Sequence, residues 1–141
     1  MGVIHKVSSS WAGGMAFDHQ VVNHTVRTDS VPPLGEDSGA SPKRLLLAGL
    51  AGCSGVDVSS LLKKMRAEVR HIEMHTEADL GEEHPKRYTE IRLKYTFYGT
   101  GLKKDKIEKA VKTSMEKLCG VTAMLERNCP VKYTIDYVEE D

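Results

Sequence analysis

Two cysteines set the chemistry this chain can attempt. Cys53 closes the run Ser41-Pro42-Lys43-Arg44-Leu45-Leu46-Leu47-Ala48-Gly49-Leu50-Ala51-Gly52-Cys53, and Cys119 lies in Ser114-Met115-Glu116-Lys117-Leu118-Cys119-Gly120-Val121. A thiol reacts as its thiolate, and a free pKa of about 8.5 leaves only a small fraction ionised at neutral pH. A peroxide-reducing cysteine therefore needs a cation or hydrogen-bond donors to hold its anion. It also needs a second thiol to resolve the sulfenic acid it forms. Cys53 and Cys119 supply such a pair if the helices that carry them cross at that point. Their separation along the chain argues neither way, and a buried cysteine can equally be an inert small hydrophobe.

The charges near Cys53 pull in both directions. Asp57, one helical turn on, opposes ionisation of the thiol. Arg27, Lys43, Arg44 and Arg66 are the candidate cations, although Arg44 falls on the opposite helix face from Cys53. Cys129, directly before Pro130, reads as a spare thiol.

The run His71-Ile72-Glu73-Met74-His75 invites a metal, but it lacks the zinc-protease order of residues, and its alternation is that of a strand. The ligand-like side chains then fall on the wet face, so no metal site is expected. Gly99-Thr100-Gly101 lacks the third glycine of a nucleotide loop and reads as a turn, and no cofactor motif is found. Trp11 with Gly13-Gly14 reads as hairpin chemistry.

The elements that must hold the thiols are legible from periodicity. The first thirty residues read as three short strands, and Ser30 to Ala40, with Pro32, Pro33, Gly35 and Gly39, as a mobile loop. Ser41-Pro42 opens a helix that continues to about Ala67. It is apolar almost all round, so it must be covered on every side. Gly49, Gly52 and Gly55 form a ridge of small residues that lets another helix approach closely. Val69 to Leu80 and Tyr88 to Gly99 alternate strictly and pair as an antiparallel hairpin. A second helix runs from about Lys103, with Ile107, Val111, Ser114, Leu118 and Val121 on its apolar face and a break at Gly120 after Cys119. Val131 to Val138 is the last strand. The order is β-β-β-α-β-β-α-β, an α+β fold with mainly antiparallel pairing. Two helices and about six strands struggle to cover the first helix, which points to a homodimer.

Composition bounds the partners. Twenty basic residues balance twenty acidic ones among 141, so the chain has no electrostatic footprint for nucleic acid or an anionic membrane. The length fits one domain, residues 1–141, with enough chain for a core. Three cysteines suit a reducing compartment. With no signal-like start and no run of eighteen apolar residues, the expectation is a cytoplasmic protein that does not enter a membrane.

The stretch from Pro42 through Leu45-Leu46-Leu47-Ala48-Gly49-Leu50-Ala51-Gly52-Cys53-Ser54-Gly55-Val56-Asp57-Val58 to Leu61-Leu62-Lys63-Lys64-Met65-Arg66 resembles the first cysteine helix of the OsmC/Ohr family. Glu116-Lys117-Leu118-Cys119-Gly120-Val121, running on to Met124-Leu125, resembles its second cysteine motif, and Gly13-Gly14-Met15-Ala16-Phe17 also fits. The resemblance implies an intertwined homodimer, two central helices wrapped by antiparallel sheets, with active sites at the subunit interface. It further implies a thiol peroxidase that reduces organic hydroperoxides in oxidative stress defence. Cys53 would be the peroxidatic thiol and Cys119 the resolving one, restored by a dithiol such as a lipoyl group. The chain departs from the pattern at Lys43, where active members carry a glutamate that orients a catalytic arginine. Arg27 is the candidate for that arginine, from its place in an early strand. The other reading is a non-enzymatic dimeric module that binds a small apolar ligand at the same interface.

Overall fold

Gly13 and Gly14, at φ 95° and 53°, adopt left-handed conformations that other residues resist, and the chain makes its first reversal there. The turn joins strand β1 (Ser8–Trp11) to β2 (Phe17–Val21), and Val22-Asn23 joins β2 to β3 (His24–Thr28). The three form one antiparallel sheet in chain order. Trp11 Nε1 donates to the Gly14 carbonyl at 2.9 Å, as its hairpin setting predicts.

The computed structural model describes residues 2–141 in two compact units, the first ending at Leu46 and the second running from Leu47 to Asp141. The first unit holds the small sheet and the loop after it. That loop is not left loose. The Asp29 carboxylate, 4% exposed, accepts from the backbone N–H of Ser30 at 2.7 Å, from that of Ser38 at 3.0 Å and from the Ser38 hydroxyl at 2.7 Å. These donors, the Ser38 hydroxyl foremost, hold its pKa down to about 2.

The second unit receives most of helix α1 (Pro42–Lys64), then β4 (His71–Leu80), β5 (Tyr88–Gly99), α2 (Lys104–Thr113), a π-helical turn (Ser114–Leu118), α3 (Gly120–Glu126) and β6 (Val131–Glu139). Helix α1 stops three residues before the expected Ala67. Arg66 turns left-handed at φ 56°, the Ala67 N–H reaches back to the Leu62 carbonyl at 2.9 Å, and the Arg66 N–H reaches Lys63 at 3.2 Å, closing a Schellman cap.

The second sheet has the order β4-β5-β6. β4 and β5 pair antiparallel as the alternation predicts, but β6 runs parallel to β5. Pairing direction depends on how the intervening helices return the chain, which alternation does not encode. β5 lies at the centre, and Ile91, Leu93, Tyr95 and Phe97 are buried to 1% exposure or less. They join Leu50, Val58 and Leu62 of α1 and Ile107, Ala110 and Val111 of α2 in one core. The opposite sheet face is charged. Arg92 bonds Glu77, Asp79 and Glu90 at 2.9 Å each.

Helix α1 buries the four-residue-spaced stripe Leu50, Ser54, Val58 and Leu62. Off this stripe, Leu46 is 49% and Val56 71% exposed. By length and composition α1 could also cross a membrane, an exception to the expectation drawn from uninterrupted apolar runs. Its buried stripe, with Ser54 hydrogen-bonded to other elements of this unit, shows it serving as a core helix here.

Candidate functional site

Ser54 follows Cys53 in α1 and is the polar member of the buried stripe, so its hydroxyl must find partners inside the protein. It finds Tyr95 of β5 through a hydroxyl–hydroxyl bond and Ser114 at 2.8 Å. Ser114 opens the π turn, and its carbonyl accepts the Cys119 N–H at 2.8 Å, a bond spanning five residues rather than four. The extra residue rotates the helix face. Met115, Cys119 and Thr122 point into the core, while Leu118, expected on the apolar face, is 52% exposed. The break in this helix thus begins before Cys119, not at Gly120 after it.

Cys119 leaves helical conformation at φ −71°, ψ 106° and caps α3. Its sulfur accepts the Thr122 N–H at 3.4 Å and also meets the Thr122 hydroxyl. Cys53 is half-buried and Cys119 is 4% exposed, and both are free thiols. Cys53 lies near enough to Cys119 to contribute to the rise of its pKa. Burial pushes the Cys119 pKa up, the Cys53 neighbour adds to this, and the donors from Thr122 work against it.

A line of polar groups links β5, α1 and the π turn. Tyr95, Ser54, Ser114 and Asp57 are linked in sequence, the last step being Ser114 Oγ to Asp57 Oδ2 at 3.1 Å. The Met115 thioether also receives Tyr95 at 3.4 Å, Ser54 at 3.6 Å and Thr122 at 3.6 Å. Burial pushes the Tyr95 phenol up to about 12. Sequence reading missed Ser54, Ser114 and Tyr95. The signal available was two serines set among apolar residues at helical spacing.

The candidate cations have partners or settings of their own. Arg27 is bound to the Asp18 carboxylate at 2.7 and 2.8 Å, Arg44 donates to Ser41 Oγ at 3.1 Å, and Lys43 is exposed; all three belong to the first unit. Arg66 caps α1, and its carbonyl accepts from Lys103 at 3.2 Å. Cys129 is 7% exposed within the core. His71 and His75 lie on the exposed face of β4, and no group of three metal-ligating side chains occurs among the described residues. Chemically, the site offers one half-buried and one enclosed thiol.

A family model described as OsmC-like protein matches residues 35–134, a stretch that crosses the boundary between the two units. Protein YhfA of Escherichia coli K12 is 31% identical over 129 residues, covering 91% of this chain and 94% of that protein. The crystal structure of a hypothetical protein from Aquifex aeolicus VF5 superposes with a TM-score of 0.83 at 31% identity, covering 98% of this chain and all of the other. The organic hydroperoxide resistance protein OhrB of Bacillus subtilis superposes at TM-score 0.68 and 21% identity over 95% and 98% of the two chains, a likeness of fold. With the paired cysteine helices and the strand order, these matches place the chain in the OsmC-like family.

Proposed function

We propose that this chain is a thiol peroxidase acting on organic hydroperoxides, with Cys53 peroxidatic and Cys119 resolving. The observation that supports the reading is the contrast between a half-buried Cys53 and an enclosed Cys119, with Cys53 near enough to help raise the Cys119 pKa. The Cys53 thiolate attacks the distal peroxide oxygen, the O–O bond breaks, and the alcohol leaves with a proton, giving Cys53 sulfenic acid. The Cys119 thiol then attacks that sulfur. Its proton leaves with the hydroxyl as water, and the Cys53–Cys119 disulfide forms. An external dithiol, such as a lipoyl group, reduces the disulfide by exchange and becomes a cyclic disulfide itself.

The working unit in this reading is a homodimer in which residues 1–141 act as one domain. Support comes from α1, where Leu46 and Val56 are exposed and Gly49 and Gly52 have open space where a side chain would stand. We place the protein in the cytoplasm, where reduced dithiols are available.

Consumption of cumene hydroperoxide with dihydrolipoamide as reductant tests the proposal. Wild type turns over and Cys53→Ser does not; an inert wild type overturns it. Saturable binding of an apolar ligand that survives loss of both cysteines would favour the non-enzymatic module instead.

A further inference from the structure

Three observations meet at Ser114. Its carbonyl takes the Cys119 N–H at 2.8 Å and so fixes the backbone that presents the buried thiol. Its hydroxyl bonds Ser54 at 2.8 Å, the residue after Cys53. The same hydroxyl donates to Asp57 at 3.1 Å, one turn after Cys53 on the same helix. Ser54, Ser114 and Tyr95 are fully buried, so these bonds have no competing water.

The Ser114 hydroxyl donates to Asp57, and Ser54 and Tyr95 each have the Met115 thioether, at 3.6 and 3.4 Å, as a second acceptor for their one proton. With Ser54, Ser114 and Tyr95 all buried, sliding of one helix past the other strands polar groups away from water.

We infer that Ser114 is the positioning residue of the Cys53–Cys119 pair, pinning the π turn to α1 so that the two sulfurs stay in register. This rests on the dithiol reading above. Disulfide geometry is narrow, so a loosened turn lowers the effective concentration of one sulfur at the other. Ser114 touches neither substrate nor the reacting atoms and acts through the backbone of Cys119.

The test is the thiol–disulfide equilibrium of the full chain in a dithiothreitol redox buffer, read by alkylation and mass. Wild type closes the Cys53–Cys119 disulfide, and Ser114→Ala weakens it about tenfold, which for a two-electron couple is about 30 mV. Closure after a hydroperoxide pulse slows in parallel. Val111→Ala, one turn earlier in α2 and equally buried, lowers thermal stability but leaves the equilibrium unchanged. Ser54→Ala cuts the same bond from α1 and repeats the effect if Ser114→Ala folds poorly. An unchanged equilibrium in both serine variants overturns the inference, as does an equal shift in Val111→Ala. A wild type that never closes this disulfide overturns the dithiol reading itself, before any variant is compared.

Discussion

The Cys119 sulfur, enclosed at the cap of α3, takes the Thr122 N–H at 3.4 Å, and the half-buried Cys53 of α1 adds to the rise of its pKa. In the proposed reaction the more open sulfur meets the peroxide and the enclosed one resolves it. The predictions below follow from that asymmetry and from the packing that maintains it.

A limiting dose of organic hydroperoxide is expected to reduce the three free thiols to one, with Cys129 the survivor. Peptide mapping after alkylation should find Cys53 joined to Cys119. In Cys119→Ser the sulfenic acid of Cys53 should accumulate instead, detectable with a dimedone probe. A Cys129-containing disulfide as the major product would contradict the assignment.

Stability should fall steeply in alkali. A phenol whose folded pKa is raised keeps its proton after the unfolded chain has lost it. Its stabilising contribution is therefore full below 10 and drains away as pH rises toward 12. Each such group steepens the fall by about 1.4 kcal/mol per pH unit in that window. Cys119, raised from 9.0, adds the same sign of effect beginning at lower pH. Tyr95→Phe should remove one group's share of the slope between pH 10 and 12. It should also cost about 1 kcal/mol at pH 8, because buried Ser54 loses a hydrogen-bond partner. Urea midpoints across pH provide both readings.

Val56→Glu should dissociate the proposed dimer without unfolding the chain, since Val56 is 71% exposed in the single subunit. Sedimentation velocity should show wild type as a dimer and the variant as a monomer with unchanged circular dichroism. An identical sedimentation coefficient would place any interface elsewhere.

Phe97→Ala should cost about 3–5 kcal/mol in urea denaturation. Phe97 is fully buried and stacks between Tyr95 and Tyr137, with ring centroids 6.1 and 6.4 Å away. Arg92→Ala, on the wet face of the same strand, should cause only a small loss that fades in about 1 M salt, because its three partners are screened by solvent.

The elements themselves were written in the sequence. Ile91, Leu93, Tyr95 and Phe97 announced a half-buried strand because side chains on a strand alternate faces regardless of what they pack against. Pro42 marked the start of α1, and the cysteine motifs pointed to the family. Local steric and hydrophobic rules suffice for such features because they act within a few residues.

What the sequence did not carry were relations between distant segments. The parallel pairing of β6 on β5, the five-residue step that turns Cys119 inward and Leu118 outward, and the serine line from Tyr95 to Asp57 each depend on where a second element lies. The burial that raises the Cys119 pKa is of the same kind. A thiol's neighbours, and hence its chemistry, are fixed by packing across the chain, and only the folded structure brings those partners to one place.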